Sequence, residues 1–255
     1  MAPQIPSGNS TLVVIPTYNE RENIGKALSE LLDNVPGVDA LVVDDNSPDG
    51  TQNIVVERMK QTPRVHLLRR PGKAGLGAAY VAGFHWGLDK GYSHLIEMDA
   101  DLSHNPRDVA RFIESLKTFD VVVGCRYMPG GGTESWPLSR QLISRGGNLY
   151  AQWILGLPYL DLTGGFNAWS REVLEAIQID QVKSVGYAFQ IELKLRAHRL
   201  GFRLTEIPIK FQDRQWGKSK MSFRIIREAA IRVLYMRWIT KNAKPALSPA
   251  PTKEN

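Results

Sequence analysis

The chain has 255 residues, 43% hydrophobic and 23% charged. That is enough for one large domain, or a core domain with a small appendage. A single cysteine, Cys125, excludes an intramolecular disulfide framework and a multi-cysteine zinc site, and it points to a reducing compartment. The net charge of +6 is uneven: residues 214–241 hold eight basic side chains and one acid, Glu228, so the remainder sums to −1.

Such a concentration of positive charge calls for an anionic partner. No apolar run reaches the roughly 18–20 residues that span a bilayer. The uncharged stretch 146–160 is interrupted by Gly156 and Pro158. Residues 1–10 lack the basic and apolar regions of a signal peptide. The expectation is a cytoplasmic protein, soluble or peripheral on the cytosolic face of a membrane.

Residues 1–10 are small and polar, and 243–255 carry three prolines; both ends read as disordered. Between them, strand-like runs alternate with helical patterns. Residues 11–16 (TLVVIP) read as a buried strand and 20–34 as a helix with Ile24, Leu28, Leu31 and Leu32 on one side. A strand from Leu41 to Val43 ends in Asp44-Asp45, and the turn 47–50 (SPDG) leads into a helix over 51–60. A strand at 65–68, a helix at 74–88 and a strand at 94–98 follow. The last is succeeded by Asp99-Ala100-Asp101, with Asn105-Pro106 as cap and first residue of the next helix.

A fifth strand, 121–124, ends at Arg126. The order βαβαβαβαβ predicts an α/β fold with a mostly parallel central sheet flanked by helices. Residues 128–137 (MPGGGTESWP) read as a mobile glycine-rich lid. Two or three helices, a strand at 202–207 and a helix at 222–241 complete the pattern.

In open α/β sheets ligands sit beyond the carboxyl ends of the strands. Those ends are followed here by Pro16-Thr17-Tyr18-Asn19-Glu20, Asp44-Asp45, Asp99-Ala100-Asp101 and Arg126. Asp99 and Asp101 can hold a hard divalent cation, Mg²⁺ or Mn²⁺, whose shell is shared with substrate phosphates, and Ser103 can add an oxygen. They can equally belong to a plain turn. Asp44 and Asp45 divide between capping or an Asx-turn and hydrogen bonds to a nucleotide base or ribose. The run Gly72-Lys73-Ala74-Gly75-Leu76-Gly77 has neither Walker nor dinucleotide spacing and reads as a turn with close helix packing. That weakens kinase, ATPase and dehydrogenase readings.

Arg126, Arg140 and the basic loop containing Arg214, Lys218 and Lys220 are solvated charges or phosphate-neutralising groups. On a helical wheel, Ile225, Ile226, Ala229, Val233 and Met236 share an arc. Arg224, Arg227, Arg232, Arg237 and Lys241 lie elsewhere, interleaved with Ile231, Leu234, Tyr235 and Trp238. Large apolar side chains among cations suit a membrane surface. The absence of a base-reading context argues against nucleic acid.

The runs VVIPTYNE (13–20), VVDDNSPDGT (42–51) and EMDADLSHNP (97–106) resemble family-2 inverting glycosyltransferases of the GT-A fold. More narrowly, GCRY (124–127), LTGGFNAW (162–169), GYAFQIE (186–192) and FQDRQWGKSK (211–220) resemble dolichol- or polyprenol-phosphate mannose synthases. The resemblance implies transfer of mannose from GDP-mannose to a polyprenyl or dolichyl phosphate, with inversion. It divides the chain into a catalytic domain over 11–220 and a basic amphipathic interface helix over 221–242. Pro16, Tyr18, Glu20, Val43 and Asp45 would hold the guanosine. Asp99, Ala100 and Asp101 would meet the diphosphate and metal, with Asp101 and Ser103 closest to the cation.

By the same resemblance Arg126, Arg214 and Lys220 would contact donor phosphates, Arg140 and Ser144 would match the acceptor phosphate, and catalysis would fall to Asp101, Arg126 and Arg140. The soluble-domain type in this family can use a separate transmembrane partner. The rival readings are a UDP-glucose-dependent transferase, a processive polysaccharide synthase and a non-catalytic nucleotide-sugar sensor. The Q-x-x-R-W motif of the synthase is absent from residues 212–216, and a sensor has no use for an acceptor-side arginine.

Overall fold

A computed structural model describes residues 10–182, 184, 186–213 and 223–240. The expected disorder of residues 1–9 and 243–255, and the basic loop with Arg214, Lys218 and Lys220, lie outside the described residues. The elements are β1 (Thr11–Thr17), α1 (Arg21–Asn34), β2 (Val38–Asp44), α2 (Thr51–Gln61), β3 (Val65–Arg69), α3 (Leu76–Asp89), β4 (His94–Glu97) and α4 (Asp108–Leu116). They continue with β5 (Val121–Cys125), β6 (Gly132–Thr133), α5 (Leu138–Leu155), β7 (Asn167–Ser170) and α6 (Arg171–Ala176). The last are α7 (Tyr187–Arg199), β8 (Leu204–Pro208), β9 (Lys210–Phe211) and α8 (Phe223–Thr240).

Seven strands form one sheet in the order β3-β2-β1-β4-β7-β5-β8. All neighbouring pairs are parallel except those of β7, which runs antiparallel to both β4 and β5. The sequence pattern anticipated the parallel strands but not β7. Four residues (NAWS) carry too little period-two signal; hydrogen bonds from both flanking strands hold them in place.

Alternation assigns the faces. Val13, Ile15, Ala40, Val42 and Ile96 pack under α1, α2 and α4. Leu12, Val14, Leu41, Val43 and Leu95 pack under α3, α6 and α7. A third apolar cluster joins α5, α7 and α8 through Ala151, Leu155, Ile191, Leu195, Val233 and Met236.

Two local expectations are corrected. The helix after Asn105-Pro106 begins only at Asp108: the Asn105 side chain accepts from the Arg107 N–H at 3.1 Å, and its carbonyl accepts from the Asp108 N–H at 3.0 Å, closing a turn first. The glycine-rich segment 128–137 is tethered at its middle, because Gly132 and Thr133 form β6 and pair in parallel with Lys210 and Phe211 of β9.

Helix α3 sits directly on the sheet. A Cβ on Gly83 would lie 2.4 Å from Val14 Cγ1, and one on Gly87 would lie 2.5 Å from Leu95 Cδ2. Overpacking of this kind costs about 1–3 kcal/mol, more than the roughly 1 kcal/mol of helix propensity that alanine gains over glycine. Gly83→Ala is therefore expected to lower the melting temperature by several degrees in a calorimetric scan; an unchanged or higher value would contradict the close contact.

Candidate active site

The carboxyl ends of β2, β1 and β4 lie side by side, and they carry the acidic rim. The two strand-end aspartates of β2 separate cleanly. Asp44 is a turn residue: its carboxylate accepts from Thr17 Oγ1 (2.8 Å), Ser47 N (2.9 Å), Ser47 Oγ (2.6 Å) and Gln52 Nε2 (2.5 Å). Asp45 faces the next loop, pairing with Arg70 Nη1 at 2.7 Å and accepting from Ala74 N at 3.3 Å. Asp49 accepts from Thr51 N, Thr51 Oγ1 and Arg21 N. Burial would raise its pKa, but these bonds outweigh that and hold it below the usual value.

Tyr18 and Glu20 follow β1. Glu20 accepts from Asn23 Nδ2 at 2.8 Å. The ammonium of Lys73 stands 4.3 Å from the centre of the Tyr18 ring, so the glycine-rich turn contributes a cation to this rim. The turn reading of that segment holds: Gly75 has φ +94°, and a Cβ on Gly77 would press on Phe189 at 3.0 Å. Pro16 is half-buried, whereas Val43 is sealed in the core beneath α3 and presents no side-chain surface to the rim.

After β4 the chain turns sharply. Asp99 accepts from Tyr80 Oη at 3.3 Å, and its N–H donates to Nδ1 of His104 at 3.1 Å. Ala100 and Asp101 are buried, Leu102 has φ +61°, and Asp101 Oδ1 accepts from Ser103 N at 3.1 Å. The Ser103 hydroxyl is fully buried with no hydrogen-bond partner. An orphaned oxygen beside a carboxylate is costly unless a ligand completes it. Two carboxylates and a hydroxyl are a hard-oxygen set, so the residues present fit Mg²⁺ or Mn²⁺. Among the described residues no three His, Cys, Asp or Glu side chains gather as a cation cage.

Arg126, at the end of β5, is buried. Its Nε and Nη2 each lie 2.7 Å from an oxygen of Asp161, and Nη2 also donates to Thr163 Oγ1 at 3.0 Å. Burial favours an uncharged Asp161, yet the Arg126 guanidinium overrides it and keeps the carboxyl below the usual carboxylate range. Arg126 also borders a cavity of about 350 Å³ lined further by Tyr127, Gln141, Arg145 and the 129–133 turn. Arg145, which the sequence reading passed over, enters this cavity. It has no carboxylate partner among the described residues.

Arg140 and Ser144 stand on the adjoining turns of α5 and not in the cavity wall. Arg140 pairs with Asp213 at 3.0 Å and stacks 3.9 Å above Trp136; Ser144 Oγ accepts from Tyr127 Oη at 2.6 Å. Strand β7 separates β4 from β5, so the acidic rim and Arg126 are not on neighbouring strands. Phe211 bridges them: its ring lies 5.4 Å from His104, 5.3 Å from Trp136 and 5.7 Å from the Arg126 guanidinium. Gln212 N–H donates to the Ser103 carbonyl at 3.1 Å.

Beneath this surface lies a polar network that sequence reasoning missed. Glu97 is fully buried and accepts from Asn167 Nδ2 (2.7 Å) and Gln190 Nε2 (3.1 Å); burial pushes its carboxyl up to about 7 against those bonds. Lys194, also fully buried, is pushed down to about 8 by burial, opposed by Asp161 and Glu97. Strand-end position could flag the rim acids, but no local signal marks a lysine in the middle of a helix as buried.

Residues 12–178 match the glycosyl transferase family 2, and the chain belongs to that family. It is 48% identical over 227 residues to an undecaprenyl-phosphate mannosyltransferase of Micrococcus luteus, covering 89% of this chain and 93% of that one. It is also 48% identical over 225 residues to a polyprenol monophosphomannose synthase of Mycolicibacterium smegmatis, covering 88% and 85%. Among solved structures, glucosyl-3-phosphoglycerate synthase from Mycobacterium tuberculosis, in complex with Mn²⁺, UDP and glucosyl-3-phosphoglycerate, matches with a TM-score of 0.66. The identity is 18%, covering 91% of this chain and 81% of that one. A mannosyltransferase from Pyrobaculum calidifontis with GDP-Man and Mn²⁺ matches with a TM-score of 0.55 at 16% identity, covering 95% and 76%. These likenesses identify the fold as the mostly parallel sheet with flanking helices expected of GT-A enzymes.

Asp161→Asn removes the charge facing buried Arg126 and is expected to cost about 3–5 kcal/mol at neutral pH. A carboxyl whose folded pKa is depressed stabilises the fold above its unfolded pKa, near 4, and loses that contribution as pH falls through the folded value. The gap between variant and wild type, followed by urea unfolding, should therefore narrow below about pH 4. A gap independent of pH would contradict the pairing.

Proposed function

We propose that the protein transfers mannose from GDP-mannose to a polyprenyl or dolichyl phosphate, with inversion at the anomeric carbon. One juxtaposition carries the reading. The loop of Asp101 and Ser103, whose oxygens suit a cation and a diphosphate, and Arg126 of the Arg126–Arg145 cavity, suited to a phosphate monoester, are joined through Phe211, which lies 5.4 Å from His104 and 5.7 Å from the Arg126 guanidinium. Two relatives at 48% identity bear names for mannosyl transfer to polyprenyl phosphates, which supports the same acceptor class.

The donor lies along the acidic rim. Pro16, Tyr18, Glu20 and Asp45 meet the nucleoside, with Val43 packed in the core behind them, while Lys73 adds positive charge beside Tyr18. Asp99, Asp101 and Ser103, with Ala100 between them, hold Mg²⁺ or Mn²⁺, which supplies charge neutralisation for the departing diphosphate. Arg214 and Lys220, outside the described residues, are assigned to the donor phosphates by resemblance.

The acceptor phosphate enters from the α5 side. Its second pKa is about 6, so at neutral pH it is largely a dianion and needs no general base. Arg126, which the resemblance gave to the donor phosphates, is placed here on the acceptor side because it borders the cavity with Arg145; the two offset the acceptor's charge, with Arg140 and Ser144 beside the cavity. A phosphate oxygen forms the new bond to the anomeric carbon while the bond to the diphosphate oxygen breaks, and the electron pair leaves with GDP. Catalysis is thus positioning and charge neutralisation.

The lipid tail and the bilayer surface lie along α5 and α8. Leu138, Leu142, Leu149 and Trp153 share one exposed stripe of α5, and Arg145 falls within it. On α8, Ile231, Leu234, Tyr235 and Trp238 are exposed, while Val233 and Met236 are buried as the wheel anticipated. The two helices pack together, Tyr150 Oη donating to the Ala230 carbonyl at 3.1 Å. Not every cation on α8 faces outward: Arg232 Nε donates to Ser184 Oγ at 3.2 Å and Arg237 to the Ile154 carbonyl. Among the described residues no helix is long and apolar enough to cross a membrane. The proposal is therefore a catalytic domain over 11–220 held by the helix over 221–242 to a cytosolic membrane face, where a separate transmembrane partner can join it.

Purified protein incubated with radiolabelled GDP-mannose and a polyprenyl phosphate in detergent is expected to form a lipid-linked mannose, with UDP-glucose as the control donor. Product from UDP-glucose alone, or from neither donor, would refute the reading. EDTA and Asp101→Asn should each abolish transfer, with only the chelator's effect reversed by Mn²⁺ or Mg²⁺. Arg145→Ala should raise the KM for the lipid about tenfold, consistent with losing about 1.4 kcal/mol of charge-assisted binding, and leave GDP affinity unchanged. Trp153→Asp combined with Trp238→Asp should cut binding to anionic liposomes in a flotation assay while the melting temperature holds, because both side chains are exposed, at 79% and 71%.

A further inference from the structure

The loop between α5 and β7 is specified at every residue from 160 to 164. The N–H groups of Leu160 and Asp161 donate to the two carboxylate oxygens of Glu206, at 2.9 and 2.8 Å. Those of Leu162 and Thr163 donate to Asn148 Oδ1 at 2.8 and 3.0 Å, and that of Gly164 to Asp161 Oδ1 at 3.0 Å. The carbonyls of Leu162 and Gly164 are gripped by one group, the ammonium of Lys194, at 3.1 and 2.8 Å. A Cβ on Gly164 would stand 3.2 Å from the Asp161 side chain, so the loop folds tightly onto its own aspartate.

Lys194 is an unusual choice for this task. It is fully buried, and among the described residues no carboxylate lies within 4.0 Å of its nitrogen. A buried ammonium is costly to desolvate, and a neutral amide could satisfy two carbonyls without that cost. What a neutral group would not supply is charge near Asp161, whose carboxylate already accepts three hydrogen bonds from Arg126, through its main-chain N–H, Nε and Nη2. With Lys194 behind the loop, and against the effect of burial, Arg126 and Lys194 together hold the Asp161 carboxyl below its usual range, while Glu97 and Glu206 answer Lys194 in turn. What Lys194 adds at the cavity wall is therefore the fixed geometry of the loop it grips, and through it the orientation of Arg126.

We propose that Lys194 is a positioning residue for the transfer reaction. By gripping the Leu162 and Gly164 carbonyls it fixes the 160–164 loop, so that Asp161 and Thr163 present Arg126 to the acceptor-side cavity in one orientation. This rests on the transfer reaction proposed above. Neither the rim acids nor the metal set takes part. Lys194 touches no substrate and acts through Asp161, Thr163 and Arg126.

The test is steady-state kinetics of the full chain with GDP-mannose and a polyprenyl phosphate, alongside calorimetric titration with GDP and Mn²⁺ and thermal melts. Lys194→Met is expected to raise the KM for the lipid phosphate about tenfold and to lower kcat, with GDP affinity unchanged. Lys194→Gln, which keeps donor N–H groups but no charge, should fall between it and wild type. A purely structural lysine would lower the melting temperature and the active fraction but leave the lipid KM of the folded enzyme at the wild-type value; that result overturns the proposal. If Lys194→Met does not fold, Thr163→Val decides. It removes one Arg126 bond from the same loop and should shift the lipid KM in the same direction by a smaller factor, whereas a wild-type KM overturns the proposal. Failure of the wild-type protein to transfer sugar from either donor would instead strike the proposed reaction.

Discussion

Two anions must meet for this chemistry to occur, and the structure is organised around their repulsion. A sugar diphosphate and a phosphate monoester approach one carbon atom, so positive charge has to be fixed on both sides before either arrives. On the proposed acceptor side that charge would rest on Arg126, which two 2.7 Å bonds to Asp161 hold inside the protein. A buried arginine without its carboxylate would carry an uncompensated charge and lose its fixed orientation. Lys194, behind the loop, holds the backbone that carries Asp161 and Thr163 and so keeps that orientation.

The donor side solves the problem differently. Its fixed groups are acidic, Asp99 and Asp101, and the orphaned Ser103 hydroxyl joins them. Acids cannot neutralise a diphosphate, so in the proposed reaction this end would be completed by a cation with incomplete protein coordination. Tyr80 and His104 hold the turn in shape, and burial near Asp99 pushes the Tyr80 phenol well above its ordinary pKa, so it remains a hydrogen-bond donor to that carboxylate. In that reading one half of the site carries permanent positive charge and the other would acquire it on loading.

Communication between the halves runs through aromatic contacts and main-chain bonds. Phe211 touches His104 on one side and Trp136 on the other, while β9 ties the glycine-rich segment to the strand leaving β8. Arg140 lies across the same junction, on Trp136 and Asp213. The chain leaving β9 is bonded to the loop that carries Asp101 and Ser103, because Gln212 donates directly to the Ser103 carbonyl.

Much of this was legible in the linear chain. Alternating and 3.6-residue patterns report which face of an element is buried, so β1 to β5, their helices and the acids at the strand ends could be read in order. The buried Val233 and Met236 of α8 followed from the same wheel. Local pattern says nothing about partners far along the chain. Arg126 meets Asp161 across 35 positions and Lys194 meets Leu162 across 32, and both contacts exist only because β7 folds back between β4 and β5. Tertiary structure alone placed Arg145 in the cavity and Arg140 beside it, gave Asp44 to a turn and Asp45 to Arg70, and tethered the glycine-rich segment. The residue types determined which charges were available; the inserted antiparallel strand decided which of them stand together.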